Sequence, residues 1–155
     1  MDSKEEALQG NERFKIIQKN HKEYIFDSIR KKYVVLTPEE WVRQNTIYYL
    51  VHSKNYPPNL IRIEQKLKGK DQFFRSDIVV YSRNGEAKMI VECKAEKVKI
   101  TQDVFDQISK YNLQFNVDYL VVTNGLMHYT CKMDYKNKSY TFLKELPEYD
   151  EITLK

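Results

Sequence analysis

The sequence predicts an α/β (α+β) fold in which a mixed central sheet is flanked by helices, with the core order αβββαβ. Three observations lead to this fold: a capped helix at 37–53, a β-hairpin signal at Asn84-Gly85, and a second capped helix at 101–115 followed by an apolar strand. A helix between two strands at this spacing indicates a right-handed crossover. The chain therefore combines a hairpin and a crossover in one sheet.

The chain has the length and polarity of a single globular domain. Its 155 residues are enough to bury a sizeable core. No apolar run approaches the roughly 18 residues of a membrane span, and the N-terminus is too polar for a signal peptide. We therefore expect a cytoplasmic protein, with residues 1–36 as an N-terminal lead-in that carries a basic cluster and residues 37–155 as the main domain.

The first helix begins at a clear capping signal. Thr37 is the predicted N-cap, Pro38 occupies the first helical position and Glu40 the third. A broad apolar face continues to about Ser53, and Pro57-Pro58 ends the segment. The sequence thus predicts an amphipathic helix that covers one face of the sheet.

Apolar runs and turn signals mark the other predicted elements. They are a short helix or frayed segment within the first 22 residues, candidate strands at 24–26 and 33–36, a first core strand at 60–64, a hairpin at 78–91, a helix from 101 to about 115, a strand at 119–123, and a terminal hairpin at 128–133 and 139–143. Thr101 caps the second long helix, whose predicted apolar stripe is Val104, Ile108, Tyr111 and Phe115.

Asn84-Gly85 is the strongest short hairpin signal in the chain. If these two residues form the turn, Arg83 pairs with Glu86, and counting outwards places Asp77 directly opposite Glu92. Directly opposed residues have Cβ atoms roughly 5 Å apart, where like charges are destabilising. Two facing carboxylates beside an apolar strand therefore indicate a bound cation.

Lys94 shares a strand face with Glu92, whereas Cys93 points into the core because side chains alternate. A divalent metal held by Asp77 and Glu92, with an ammonium at Lys94, suits phosphoryl chemistry. The acid-x-Lys triplet alone is weak evidence for a metal site. It recurs at 64–66, 86–88 and 134–136. The alternative is that both acids lie at solvated strand ends, where Asp77 pairs with Arg75 and Glu92 with Lys94.

A larger set of motifs runs through most of the chain in a fixed order. The stretches are Ile29-Arg30-Lys31-Lys32, Thr37-Pro38-Glu39-Glu40-Trp41-Val42-Arg43-Gln44, Tyr56-Pro57 with Leu60-Ile61, Arg75-Ser76-Asp77-Ile78-Val79-Val80, Ile90-Val91-Glu92-Cys93-Lys94-Ala95, Gln107-Ile108-Ser109-Lys110-Tyr111-Asn112 and Val122-Thr123-Asn124-Gly125. By these stretches the chain resembles the N-terminal nuclease domain of type I restriction enzyme R subunits, in stand-alone form. The Asp…Glu-x-Lys pattern is similar to the core of the PD-(D/E)XK nuclease superfamily, which implies a restriction-endonuclease-like fold over 37–155.

The resemblance implies a metal-dependent endonuclease that hydrolyses DNA phosphodiester bonds. The implied metal ligands are Asp77, Glu92 and the backbone carbonyl of Cys93, and the implied metal is Mg²⁺, with Mn²⁺ as a substitute. Mg²⁺ keeps several waters, so this small ligand set suffices. Lys94 is implied as the third catalytic residue, and two carboxylates beside it favour an electrostatic role over that of a general base.

Gln107 and Tyr111 lie four residues apart, on one face of the second helix. The resembled domains carry a Gln-x-x-x-Tyr motif here, which implies a catalytic role for Gln107 and a supporting role for Tyr111. The alternative is that Tyr111 belongs to the core and Gln107 is simply exposed. Glu64 and Arg75 are further supporting candidates, or else a solvated acid and a neutralising partner of Asp77.

The charge distribution is suited to a DNA backbone. The formal net charge is +4, and Lys66, Lys68, Lys97 and Lys99 flank the predicted site. Lysines that converge on a metal site favour phosphate contacts, although ordinary solvated charge is the alternative. DNA is therefore the expected partner, and the resemblance implies other subunits of a restriction system as further partners.

The residues give little evidence for a histidine or cysteine metal site or for an ATP site. The histidines lack metal-ligand spacing with one another and with the cysteines. The chain has 4 glycines in all, so we expect no phosphate-cradling loop and no ATP site. Two further functions stay open: a non-catalytic nucleic-acid-binding or assembly module that retains the fold, and an RNA or repair nuclease that uses the same site.

Overall fold

The computed structural model describes residues 13–69 and 73–154, without the side chains of residues 73, 74 and 111. The strands are β1 (Ile16–Lys19), β2 (Lys22–Asp27), β3 (Lys32–Val35), β4 (Ile61–Lys68), β5 (Phe73–Tyr81), β6 (Ala87–Cys93), β7 (Tyr119–Thr123), β8 (His128–Asp134) and β9 (Ser139–Leu143). The helices are α1 (Pro38–Ser53), α2 (Gln102–Asn112) and the short α3 (Tyr149–Ile152), with a 3₁₀ turn at Pro58–Leu60. Within the described ranges, no helix combines the length and the apolar character needed to span a membrane.

The larger sheet has six strands in the order β4-β5-β6-β7-β8-β9. Neighbours pair antiparallel except β6 and β7, which are parallel and are connected through α2. From α1 to β7 the elements follow the order αβββαβ, so the predicted mixed sheet and its core order are confirmed. The parallel pair positions the site, since the C-terminal ends of β6 and β7 meet at one edge of the sheet.

Helix α1 covers one face of this sheet, and its predicted start is confirmed. The Thr37 side chain accepts a hydrogen bond from the Glu40 N–H at 3.0 Å, as an N-cap does. Val42 and Leu50 are buried in a cluster with alternate residues of β5 and β6. Cys93 belongs to the same cluster and is fully buried, as the alternation of side chains predicted.

Helix α2 packs on the other face, with a buried side that differs from the predicted stripe. Phe105 is buried in a cluster with Ile90 and Val122, and Ile108 packs against the same cluster. Val104 is only half-buried. At its N-terminal end the stripe therefore passes through Phe105 and not Val104, because the large ring fills more of the space above β6 and β7.

The segment before α1 forms a sheet of its own. Strands β1, β2 and β3 pair antiparallel in that order. Asn20 and His21 form the turn between β1 and β2 with φ of 52° and 64°, a two-residue loop whose polar sequence gave little hairpin signal. The expectation of a helix or frayed segment up to residue 22 is therefore wrong from Ile16 onwards, and residues 1–12 lie outside the described residues.

Contacts join this N-terminal sheet to the rest of the domain. Ile25 of β2 is fully buried. Phe14 packs edge-on against Trp41 of α1, with 5.4 Å between the ring centroids. Residues 13–36 are thus more than a lead-in, since they pack against the first helix.

The turn between β5 and β6 differs from the predicted one. The Ser82 N–H donates to the Glu86 carbonyl at 2.8 Å, so the loop contains three residues, 83–85, and not two. Gly85 has a φ of 87°, the left-handed conformation that a three-residue loop of this type requires. The predicted pairing of Arg83 with Glu86 is therefore wrong.

A bulge compensates for the longer loop. Between Val80 and Tyr81 the register shifts by one residue, because β6 has one residue more than β5 at this point. Beyond the bulge Ile78 faces Val91, which is the register that the sequence predicted.

The C-terminal segment closes the end of the sheet that lies near this turn. The predicted terminal hairpin is confirmed as β8 and β9. In α3 the Tyr149 hydroxyl donates to the Tyr81 carbonyl at 3.0 Å, and Ile152 is buried. The opposite end of the sheet, where β6 and β7 end, carries the predicted site.

Candidate active site at the end of strand β6

Where the backbone pairing of β5 and β6 ends, the side chain of Asp77 in β5 forms a hydrogen bond with the backbone of β6. Ile78 faces Val91 in the last backbone pair, so Asp77 and Glu92 are the next residues outward. The Cys93 N–H then donates to Asp77 Oδ2 at 2.7 Å. A side chain thus takes the place of the backbone acceptor and fixes one oxygen of Asp77.

Glu92 contacts Asp77 at this position. Burial raises the pKa of Glu92 to about 8, and the negative charge of Asp77 and a side-chain hydrogen bond with it act in the same direction, while Lys94 opposes them. A carboxyl group with so high a pKa retains its proton at neutral pH unless a cation compensates the charge. The expected opposition of Asp77 and Glu92 is therefore observed, although the turn is not the one expected.

Lys94 follows Glu92 where β6 ends beside β7. Its backbone N–H donates to the Thr123 carbonyl at 2.8 Å, and its side chain is half-buried. Cys93 is buried on the α1 side of the sheet, so Glu92 and Lys94 point to the other side. The positive charge of Lys94 opposes the rise in the pKa of Glu92, as expected for two neighbouring side chains.

Arg43 of α1 reaches the same carboxylates, although the sequence predicted no role for it. Its guanidinium lies 3.6 Å from Asp77 Oδ1 and 3.6 Å from Glu64 Oε1. Arg43 is only 6 % exposed, and its Nε and Nη1 have no hydrogen-bond partner in the described ranges. The available signal was an arginine beside Val42 on the apolar side of the helix, since arginine is rarely buried unless it is paired.

The alternative ion pair between Asp77 and Arg75 is not observed. Arg75 is exposed, and Asp77 pairs with Arg43 instead. The cation beside Asp77 therefore comes from the helix that covers the sheet, and not from the same strand.

Arg30 extends the ion pairs to the N-terminal sheet. Its guanidinium lies 2.6 Å from Asp27 Oδ2, 2.8 Å from Glu40 Oε1 and 3.5 Å from Glu64 Oε2. Asp27 is fully buried and also accepts a hydrogen bond from Gln44 Nε2 at 3.1 Å. Arg30, predicted as part of a basic cluster, is thus a structural ion-pair partner that links the two sheets.

Glu64 has an unusual backbone for a strand residue. Its φ is 52°, which is uncommon for residues other than glycine. The pairs on either side of it keep one register between β4 and β5, so Glu64 lies opposite Asp77. Glu64, Asp77 and Glu92 therefore form a row of acids across three neighbouring strands. Strained backbone of this kind concentrates at functional sites, and the supporting role of Glu64 stays a prediction.

Gln107 lies on the exposed face of α2. The buried residues of this helix include Phe105, Ser109 and Asn112, and Gln107 projects away from them. The structure therefore leaves Gln107 outside the contacts of the site, and its catalytic role stays a prediction. The side chain of Tyr111 lies outside the described residues.

The lysines that the sequence predicted as DNA contacts are exposed. Lys66 and Lys68 lie on the edge strand β4, and Lys97 and Lys99 lie on the connection after β6. Their exposure is compatible with phosphate contacts and with ordinary solvation, so their DNA contacts stay a prediction.

The donor set fits a divalent cation that is bound largely through water. Within residues 13–69 and 73–154, no group of three or more His, Cys, Asp or Glu side chains could hold a metal. Asp77 and Glu92 offer two carboxylates in contact, and a cation would replace the proton that Glu92 retains. The Cys93 carbonyl points to the same side of β6 as its N–H, which meets Asp77. Mg²⁺ is commonly bound by one or two carboxylates and several waters, so these residues fit it.

The family of the chain follows from its sequence. Residues 38–147 match the family described as type I restriction enzyme R protein N terminus, HSDR_N. This match covers more than half of the chain, and the chain belongs to this family. A search of curated proteins gives no match. The family that the motifs indicated is thereby confirmed.

One solved structure supports the fold. It is a fragment of a candidate HsdR subunit of a type I restriction enzyme from Vibrio vulnificus YJ016, which is 21% identical over 76% of this chain, with a TM-score of 0.53. The chain spans only 24% of that structure, and at this identity the likeness bears on the fold alone. A candidate nuclease of the DUF820 family from Anabaena variabilis ATCC 29413 is 10% identical, with 83% of this chain and 80% of that chain covered; its TM-score of 0.45 is too low to carry an argument. The predicted restriction-endonuclease-like fold is confirmed.

Proposed function

We propose that the chain is a Mg²⁺-dependent endonuclease domain that hydrolyses phosphodiester bonds in DNA. The observation that carries the proposal is the contact between the Asp77 and Glu92 carboxyl groups, just beyond the last backbone pair of β5 with β6 and next to Lys94. Membership of the R-protein N-terminal family supports it, because a restriction enzyme acts on DNA.

The site residues have separate tasks in this proposal. The Cys93 N–H holds one oxygen of Asp77 in place, so this carboxylate needs little reorganisation to bind a cation. Asp77, Glu92 and the Cys93 carbonyl would hold Mg²⁺, which would supply a Lewis acid and a water of lowered pKa. Glu92 would lose its proton to solvent on binding the cation, and the Lys94 ammonium would stabilise the negative charge that develops on the phosphate.

Arg43 favours a second function, that of a non-catalytic DNA-binding or assembly module. Its guanidinium contacts Asp77 and Glu64 and already compensates part of their charge. A protein that never binds a metal needs such a cation beside its acids. In this second function the exposed lysines hold DNA, and Asp77 has a structural role only.

Plasmid cleavage separates the two functions. Supercoiled plasmid is incubated with the protein in Mg²⁺, in Mn²⁺ or in EDTA, and nicked and linear products are quantified. We expect cleavage by the wild type in either metal, none in EDTA, and none by Asp77→Asn. Asp103→Asn, an exposed aspartate of α2, is the matched control and should cleave as the wild type does.

The outcomes distinguish the candidate functions. Cleavage by Asp77→Asn, or cleavage in EDTA, contradicts the proposed site. DNA binding without cleavage in either metal favours the module. A parallel incubation with RNA decides whether the substrate is DNA or RNA.

A further inference from the structure

Three exposed apolar side chains lie at the end of the sheet where β6 and β7 finish, which is also the end that carries the candidate site. Leu126 is 66 % exposed, Met127 53 % and Val98 36 %. Leu126 and Met127 lie in the turn between β7 and β8, and Val98 lies in the connection after β6. Because β6 and β7 are parallel neighbours, both segments leave the sheet at the end that carries Lys94. We call Val98, Leu126 and Met127 the apolar tip.

Hydrogen bonds fix the two segments to each other. Asn124 Oδ1 accepts from the Leu126 N–H at 2.9 Å and from the Met127 N–H at 2.7 Å. Asn124 Nδ2 donates to the Val98 carbonyl at 2.8 Å, and Gly125 adopts a φ of 88° that closes the turn. These bonds use the backbone at 126 and 127, so polar side chains would serve the turn equally well. Folding therefore gives no reason for the apolar residues at these positions.

The charges around the apolar tip indicate what binds there. Lys97 and Lys99 flank Val98 and are exposed, and Lys94 precedes them at the end of β6. The half-buried Glu96 lies beside Gly125, so the three lysines outnumber one acid at the apolar tip. Ammonium groups match DNA phosphates, and apolar side chains match the sugar and base faces of a groove. Lys94 and the apolar tip lie at the same end of the sheet, so a duplex that binds along this end is placed beside both.

We propose that the apolar tip contacts the minor groove of the substrate DNA. This inference rests on the proposed function, since it takes DNA as the ligand. The neighbouring lysines bind phosphates and set the salt dependence of binding. The apolar tip adds affinity that does not depend on salt, because no counterion is released when apolar surface is buried.

Salt-dependent binding tests this division of roles. Binding of a fluorescein-labelled duplex is followed by anisotropy in EDTA, which prevents cleavage, over a series of salt concentrations. The double variant Leu126→Ser/Met127→Ser should bind roughly tenfold more weakly at every salt concentration, with an unchanged slope of log K against log salt. Lys97→Ala should instead reduce the magnitude of that slope by roughly 1.

Two control variants test whether the loss of affinity depends on the position and on the apolar character of the replaced residue. Leu154→Ser replaces an apolar residue that is 76 % exposed after α3, at the other end of the sheet, and should bind as the wild type does. Leu126→Met keeps the position apolar and should retain wild-type affinity. Thermal unfolding of each variant should match the wild type; if the double variant does not fold, Leu126→Ser alone, with a smaller loss and the same slope, gives the test.

The results separate this inference from the proposed function. Wild-type affinity in the double variant overturns the inference and leaves the proposed function intact. A reduced slope in the double variant also overturns it, since the lost contact is then electrostatic. A double variant that changes only its oligomeric state in gel filtration makes the apolar tip a protein interface and overturns it too. If the wild type does not bind the duplex, the proposed function fails together with the inference.

Discussion

Replacement of Glu92 by glutamine tests the charge balance of the site directly. Burial and the charge of Asp77 raise the pKa of Glu92 to about 8, from an ordinary value of 4.5. The folded protein therefore holds this proton more tightly than the unfolded chain does. The stability that the proton provides is complete below about pH 4.5 and is lost as the pH rises through about 8. Glu92→Gln resembles the protonated form at every pH and should not show this loss.

The pKa of Glu92 sets an upper limit to the difference in the free energy of unfolding between Glu92→Gln and the wild type. A pKa of about 8 in place of 4.5 corresponds to at most roughly 5 kcal/mol between the two states. Water and nearby cations relax around the carboxylate, so the measured value should be smaller. We expect Glu92→Gln to be more stable than the wild type by about 2–3 kcal/mol near pH 9, and to be equally stable near pH 5.

Urea unfolding in EDTA from about pH 5 to about pH 9 measures this difference. Glu145→Gln, which alters an exposed glutamate, is the matched control and should follow the wild-type pH dependence. Addition of Mg²⁺ near pH 9 should stabilise the wild type and should stabilise Glu92→Gln much less. If the wild type does not lose stability relative to Glu92→Gln over this range, the two carboxyl groups do not share one electrostatic site, and the reasoning is refuted.

Three further predictions concern Lys94, Arg43 and Gln107. Lys94→Ala should lower the plasmid cleavage rate strongly and DNA affinity only slightly, because its charge acts on the transition state; equal losses in both assays would make Lys94 a simple phosphate contact. Arg43→Gln should lower the free energy of unfolding in EDTA by about 3 kcal/mol, because it leaves Asp77 without its buried counter-charge. Mg²⁺ should restore part of that loss in the same urea titration, and an unchanged stability would show that Arg43 does not compensate this acid. Gln107→Ala should change the free energy of unfolding by less than about 0.5 kcal/mol, and an unchanged cleavage rate would remove Gln107 from the predicted catalytic residues.

The sequence by itself determined the main elements, because their signals are local. The capping residues before α1 and the proline pair after it predicted the helix that the structure has at Pro38–Ser53. The apolar run at Tyr119–Thr123 likewise predicted β7. A cap or an apolar run acts over a few neighbouring residues, so the sequence displays it directly.

The register of Asp77 and Glu92 was predicted correctly although the turn was not. The loop has three residues, and the bulge in the hairpin restores the count. Burial explains this outcome, because a slip by one residue would turn Ile78 and Val91 away from the core. The apolar pattern of both strands, and not the turn sequence, therefore fixes which acids face each other.

Only the tertiary structure decided which cations accompany these acids. Arg43 meets Asp77 and Glu64 because α1 packs on the sheet, and Arg30 meets Glu64 because the N-terminal sheet packs against that helix. The left-handed backbone at Glu64 also has no local sequence signal. Electrostatic compensation depends on all the charges that the fold brings within a few ångströms, whatever their separation along the chain, and so it is decided when the elements pack together.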